Sequence, residues 1–358
     1  MKEYNICGMQ QMGVGVIDIV DSWNWYIKKF GVDCKIFDDR EEAKLMLPYT
    51  GGQTQKRRAV LALNLQSGGG FEIWQYQGRK PQPKSEPIVL GDYGINYCKI
   101  KAKNVEEAYK AISSDKNCFV NEPTVGPDGK KTFFIKDPAG NVFQIVEAYD
   151  WLKDEGKPTG GCYGATIGVS DIEKAMTVYS DILGYSKVAY DVTGVFDDFK
   201  GLIGGDAEVR RVLLKRPSMP SGPFSKLLGQ SEVELVTVKN GNPQKTLAGR
   251  FWGDPGFIHL CFDIQGMNEL RDYCAQKGHP FTVDSNPTDG TFDMGEAAGH
   301  FSYIEDPDGT LIEFVETHKV PVLQKIGWYL DLTKKKKGEN LPTWILKALS
   351  FSKVKEAF

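Results

Sequence analysis

Histidine is scarce in this 358-residue sequence. Four histidines stand beside seven cysteines, and no two cysteines form a CxxC pair. An odd number of scattered cysteines argues against a disulfide framework or a thiolate zinc site and favours reduced, buried thiols. No apolar run approaches the length that spans a bilayer, and the start, MKEYNICGMQ, lacks the charged-then-apolar pattern of a secretory signal. Charge of one sign is lacking too. A formal net charge of -3 gives no basis for nucleic-acid binding, which needs clustered basic surface. The expectation is a cytoplasmic monomer or homodimer that binds no nucleic acid and does not insert stably into a membrane. With 41% hydrophobic and 25% charged residues, the composition is that of a folded globular protein long enough for two domains.

What the sequence does have is an internal repeat. GVGVIDIVDSWNWYIKKFG, ending at Gly31, and TIGVSDIEKAMTVYSDILG, ending at Gly184, both read strand, turn, helix, with Val16 matching Val169. FFIKDPAGNVFQIVE matches FSYIEDPDGTLIEFVE, aligning Asp137 with Asp306. GFEIWQYQG matches SEVELVTVKNG, and GINYCKIKAKNVEEA matches GFIHLCFDIQGMNEL. The spacing drifts by a few residues between blocks, as loop insertions produce. We therefore expect tandem copies at 1–150 and 158–318, followed by a basic, amphipathic extension at 319–358.

Each copy divides again. Short period-two segments such as FEIWQY and IHLCFDI read as strands, and a helix follows the first strand of each half. Ser170 and Glu173 have the spacing of a capping box, as do Asn104 and Glu107. The DPAG and DPDG turns each join two strands of a hairpin. The expected fold is α+β, with four βαβββ units forming two curved, cup-like mixed sheets, helices outside, plus a C-terminal helical extension.

Units of this kind, with DPxG hairpins and helix starts of the VSDIEKAMTVY type, resemble the vicinal-oxygen-chelate superfamily of glyoxalases, bleomycin-resistance proteins and extradiol dioxygenases. The resemblance runs from residue 8 to 318 and is specific for fold but loose for function. It implies metal ligands near the start of each unit's first strand and on its last strand. Carried over one residue at a time, the first-strand positions are Gln11, Tyr97, Gly164 and His259. The last-strand positions are Glu72, Gln144, Glu234 and Glu313. Strand alternation agrees: Phe71 and Ile73 oppose Glu72, Trp74 and Tyr76, while Leu260 and Phe262 oppose His259 and Cys261.

Two pairings of units are open. If unit one meets unit four, Gln11, Glu72, His259 and Glu313 share a cup, a set that resembles the metal site of glyoxalase I. Units two and three would then bring together Tyr97, Gln144, Gly164 and Glu234, which is no metal site. If units pair within each copy, only Glu234, His259 and Glu313 meet. Cross-pairing, with one full and one eroded site, is the more economical. Alone, His259 would read as a hydrogen-bonded core histidine, and Glu72 and Glu313 could pair with Lys or Arg across the cup. The matched amide and carboxylates favour ligation of one divalent ion (Zn, Ni, Co, Mn or Fe). Glu234, near Lys99, reads as a structural ion pair. His300 reads as loop, and His279 and His318 as surface.

The resemblance thus implies a divalent-metal-dependent isomerase or lyase of glyoxalase I type. It would act on a small carbonyl substrate through an enediolate or enolate, with Glu313 as first choice of base and Glu72 opposite it. Two alternatives stand beside it. One is an extradiol-type Fe(II) dioxygenase, against which Gly164 counts because it offers no side-chain ligand. The other is a non-catalytic ligand-binding or resistance protein. Trp74, Tyr76 and Cys261 would line the cup, with loops 216–230 and 246–256 beside it; Lys226 and Arg250 are candidate anion contacts. In the extension, Leu341, Trp344, Ile345, Ala348 and Phe351 form one stripe of a helix opening at Leu341-Pro342. That helix would pack back on the domains, although a basic stripe beside an apolar one also suits an anionic membrane surface.

Overall fold

The computed structural model describes residues 3–113, 116–286, 292–293, 298–323 and 328–358. The first unit is β1 (Asn5–Gly15), α1 (Ile19–Phe30), β2 (Cys34–Glu42), β3 (Lys56–Leu63) and β4 (Gly70–Tyr76). The second is β5 (Gly94–Ala102), α2 (Val105–Ile112), β6 (Thr124–Val125), β7 (Lys131–Lys136) and β8 (Val142–Glu147). The third has β9 (Thr159–Gly168), α3 (Ile172–Met176), β10 (Lys187–Gly194), β11 (Val209–Lys215), α4 (Ser225–Leu228) and β12 (Glu232–Val238). The fourth has β13 (Gly256–Gln265), α5 (Met267–Gln276), the short β14 (Val283–Asp284) and β15 (Phe292–Asp293), then β16 (Ala298–Glu305) and β17 (Leu311–Leu323). The extension adds β18 (Trp328–Asp331) and α6 (Thr343–Ala348). Among the described residues, no helix is long and apolar enough to cross a membrane.

Units pair across the copies. One sheet runs β14-β16-β17-β13-β1-β4-β3-β2, with β15 and β18 added at β16 and β17, so it joins unit one to unit four. The other runs β10-β11-β12-β9-β5-β8-β7-β6 and joins units two and three. In each, the two first strands meet antiparallel at the centre, β1 on β13 and β5 on β9, and each pairs in parallel with the last strand of its own unit.

Alternation sorts the strand residues between the two faces of each sheet. Phe71, Ile73, Leu260, Phe262, Ile312 and Phe314 join one continuous core with Trp23, Tyr26 and Phe30 of α1. That core also takes Val105 and Ala108 of α2, Ala175 of α3 and Leu270 of α5, so the helices cover the face opposite each cup. The aspartates of the two DPxG turns do more than turn the chain. Tyr26 of α1 donates to Asp137 at 2.8 Å, and Tyr179 donates to Asp306 at 2.9 Å, tying a helix of one unit to the hairpin of the next in both copies.

Helix starts follow local chemistry. Asn104 caps α2 by accepting from the Glu107 amide at 3.0 Å, as its spacing predicts. The cap of α3 falls one residue later than expected. Asp171 accepts from the Lys174 amide, while Ser170 gives its own amide to Asp308. Ser170 is therefore the residue before the cap, because the adjoining Asp171 supplies a stronger acceptor for the free amides of the first turn.

The predicted stripe of the extension splits. Leu341 and Leu346 are buried against Leu61 and Leu63 of β3, with Ile345 and Leu349 packed on them, while Trp344 and Phe351 face outward. The helix is short, and the side it buries is set by the leucines of the sheet it meets. The extension does pack back on the sheet, as expected, and against its cup face; residues 324–327 lie outside the described residues.

Candidate metal centre

Gln11, Glu72, His259 and Glu313 stand on β1, β4, β13 and β17, four adjacent strands at the middle of the ten-stranded sheet. Register brings them to one level. Gly13 pairs with both His259 and Glu72, and Cys261 pairs with both Gln11 and Glu313. All four side chains point to the cup because their neighbours, Phe71, Leu260, Ile312 and Phe314, take the helix side.

The donor atoms converge. His259 Nε2 lies 3.3 Å from Glu72 Oε2 and 3.1 Å from Glu313 Oε2, and Gln11 Nε2 donates to Glu313 Oε2 at 3.4 Å. One ligand atom each of Glu72, His259 and Glu313 lies within 4.8 Å of the others. His259 is fully buried, and Gln11 and Glu313 nearly so. Yet His259 Nε2, Glu72 Oε2 and Gln11 Oε1 are buried atoms with no hydrogen bond. Leaving a carboxylate oxygen, an imidazole and an amide oxygen desolvated and unsatisfied is costly, and a cation held among them removes that cost. The donor set therefore fits a divalent metal ion.

Electrostatics tie the group together. Burial opposes protonation of His259, but Glu313 and then Glu72 outweigh it and raise the imidazole to about 9. For Glu313, burial pushes upward, but the His259 charge, with hydrogen bonds from Tyr303 and Cys261, holds it below its ordinary value.

Three neighbours complete the site. Tyr303 of β16, opposite Glu313 in register, donates to Glu313 Oε1 at 2.9 Å. Trp252 lies nearly parallel to the His259 ring at 6.2 Å between centroids, and Tyr76 donates to the Trp252 carbonyl at 2.5 Å. Gly13 leaves room for the imidazole. Tyr303 and Gly13 were not singled out from the sequence, although alternation along FSYIEDPDG puts Tyr303 beside Glu313. Trp74, Tyr76, Trp252 and Tyr303 form one apolar cluster at the cup; Leu61, Leu63, Leu227, Leu332 and Leu341 form another. Loops 216–230 and 246–256 thus border the cup, through Leu227 and Trp252 respectively.

A family model for the Glyoxalase/Bleomycin resistance protein/Dioxygenase superfamily matches residues 8–145 and 164–314. The chain belongs to this superfamily. No curated protein matches the sequence significantly. Among solved structures of the superfamily's fold, glyoxalase I from Zea mays is similar at a TM-score of 0.51 and 12% identity, over 88% of this chain and 92% of that one. A single-substitution variant of the maize enzyme gives 0.54 and 14%, over 88% and 94%. A Bacillus subtilis protein provisionally named a dioxygenase gives 0.57 and 13%, over 87% and 86%. At these identities the likeness is one of fold.

The second cup, in the eight-stranded sheet, holds its charge differently. Tyr97, Gln144, Gly164 and Glu234 occupy the equivalent positions, but Lys99 Nζ lies 3.0 Å and Arg211 Nε 2.7 Å from the Glu234 carboxylate. Tyr190 donates to Glu234 at 2.7 Å, Arg211 also pairs with Asp198 at 2.7 Å, and Lys99 reaches Glu232 at 2.9 Å. Glu234 is structural, as expected near Lys99, with Arg211 as a partner the sequence did not reveal. Two fixed cations stand in this superfamily member where its other cup has unsatisfied donors.

Other expectations need correction. His300 is not in a loop: it lies in β16, buried, with Nε2 2.5 Å from Asp284 Oδ1, because the alternation of HFSYI extends the strand backwards. Arg250 donates from Nη1 and Nη2 to the carbonyls of Pro255 and Thr246, closing its own loop. Lys226 is exposed on α4. His279 and His318 are half-buried, His279 bonding the Glu305 carbonyl at 2.8 Å and His318 lying 3.8 Å from Glu316.

Proposed function

We propose that this chain is a divalent-metal-dependent isomerase or lyase of the glyoxalase I type, acting on a small carbonyl compound through an enediolate. The observation that carries the reading is the convergence of Glu72, His259 and Glu313, from both ends of the chain, with the Gln11 amide bonded to Glu313 and three buried donor atoms unsatisfied. These four residues would hold the ion; Zn, Ni, Co, Mn and Fe(II) all accept one imidazole with oxygen donors. Such an ion, when bound, supplies Lewis acidity to a pair of adjacent substrate oxygens.

The chain's own groups handle the proton. Glu313 is the base that takes it from the substrate carbon and returns it to the neighbouring carbon, with Tyr303 fixing its carboxylate from Oε1. Glu72, the less buried of the two glutamates, would take the base's part for a substrate that presents its proton on the opposite side. Trp74, Trp252 and Tyr303 keep water from the reacting carbon and strengthen every charge interaction inside.

Ring cleavage by a two-histidine, one-carboxylate triad is less well supported. The position for the second histidine is Gly164, in the other sheet, where a Cβ would meet the Glu232 carbonyl at 1.9 Å. Elemental analysis of the full-length protein beside His259→Ala tests the reading. One equivalent of a divalent metal in the parent and none in the variant is expected. Equal metal in both, or none in either, overturns it. If metal binds but no α-hydroxy carbonyl substrate exchanges its carbon-bound hydrogen with deuterated solvent, the protein is a binding module rather than an enzyme.

A further inference from the structure

The C-terminal extension shows two unlike faces. Its inner face is held down: Leu341 and Leu346 are buried on β3, the Val354 amide bonds the Asp33 carbonyl at 2.9 Å, and Lys353 reaches Glu155 at 2.6 Å. α6 runs directly into a turn of 3-10 helix at Leu349–Ser352, so Trp344, Lys347 and Phe351 lie on one outward side, with Lys355 just beyond. Trp344 is 58% and Phe351 79% exposed, and both lysines are exposed. The one acid beside them in sequence is Glu356, also exposed.

Exposed aromatic area grouped on one side and flanked by charged residues marks an interaction surface. Rings that can enter a headgroup layer, flanked by cations that stay in it, are the pattern of an interfacial membrane contact. We infer that this face docks peripherally on an anionic lipid bilayer, with Trp344 and Phe351 entering the headgroup region and Lys347 and Lys355 meeting lipid phosphates and carboxylates. A second copy of the chain fits less well. A twofold contact through this patch would set its lysines against themselves.

The test is co-sedimentation of the full-length protein with vesicles of phosphatidylcholine, with and without about 30% phosphatidylserine, at low and high salt. Two lysines near such a surface give a preference of roughly 30-fold for the anionic vesicles, largely lost at high salt. The double variant Trp344→Ser/Phe351→Ser, and separately Lys347→Glu/Lys355→Glu, should fall to the neutral-vesicle level with an unchanged circular-dichroism spectrum. Equal partitioning into both vesicles overturns the inference, and so does binding that survives both variants. Self-association that Trp344→Ser/Phe351→Ser abolishes, with no vesicle binding, overturns it in favour of a second copy.

Discussion

Gly13 faces His259 so closely that a Cβ on it would lie 2.4 Å from the imidazole Cε1 and 2.5 Å from Nε2. The two residues are cross-strand partners at the centre of the sheet, and the absent side chain is what lets the ring stand between Glu72 and Glu313. In the other cup the equivalent pair is Thr166 and Tyr97, and Thr166 gives its hydroxyl to Glu234 at 3.2 Å. The glycine is thus specific to the cup that carries the histidine. Gly13→Ala should force the ring aside or part the strands, at about 1–3 kcal/mol of stability. Metal affinity should drop about 10–100-fold, as when a ligand's support is lost. Co(II) titration followed by absorbance measures it. Parent-like affinity in the variant would show that ring position does not govern the site.

Tyr303 acts on Glu313 from the opposite side to the histidine. Its hydroxyl satisfies Oε1 and leaves Oε2 toward the focus of the site. Tyr303→Phe removes that donor without changing the ring's packing against Trp252 and His259. Freed of one restraint, Glu313 should bind metal about tenfold or more weaker, with a stability loss of about 1.5–3 kcal/mol for a bond to a charged group. Calorimetric titration with Mn(II), beside urea unfolding of the metal-free protein, separates the two effects. A change in stability alone would make the tyrosine a packing residue.

Much of this was legible because the chain repeats itself. Val16 against Val169, and Asp137 against Asp306, gave the units, and the unequal donors at matched positions favoured the cross-pairing that the strand order displays. Alternation is a property of the backbone, so the orientation of Glu72, His259 and Glu313 could be read strand by strand. Contacts between strands and loops were harder, since they depend on register and on distant segments. Asp137 and Asp306 looked like turn residues; their tyrosine partners lie on helices of the preceding units. Asp92 and Asp254 were passed over, yet each accepts an amide from the other copy's linker, Gln244 and Gln82 respectively, both at 2.8 Å. The outward turn of Trp344 and Phe351 could not be seen from helical spacing, because Leu61 and Leu63 decide which side of α6 is buried.

Lys99 sits in the second cup between Glu232 and Glu234, entirely buried. Removing it leaves Glu232 with Lys215 and Glu234 with Arg211, but one negative charge more than the cup can balance. Lys99→Met should therefore destabilise the protein by about 3–5 kcal/mol, the cost of breaking a buried pair from one side. Adding Glu232→Gln should recover part of that loss. Metal content should stay unchanged in both variants, since this cup carries its own cations. Denaturant midpoints and metal analysis on the same samples check both halves; a second equivalent of metal in Lys99→Met would mean that the lysine, and not the donor set, keeps the cup metal-free.

The same network sets an acid limit. Burial pushes Glu234 upward, but Arg211 and then Lys99 outweigh it and hold the carboxyl far below its ordinary value; Glu232 is also held low, by Lys99 and Lys215 against its burial. A depressed folded-state pKa stabilises the protein fully above the unfolded carboxylate value of about 4.3. That stability is lost as pH falls toward the folded value, because the unfolded chain then binds the proton that the native state refuses. At pH 7, Glu234→Gln should be markedly less stable than the parent, with Arg211 and Lys99 left short of one counter-charge. Below about pH 4.3 the gap should narrow by about 1.4 kcal/mol per pH unit, as the parent alone loses the Glu234 contribution. Urea midpoints for both proteins between about pH 7 and pH 3 measure this directly. Curves that stay parallel over that range would mean Glu234 takes up its proton alike in the folded and unfolded chains, and that the two cations beside it do not hold its charge.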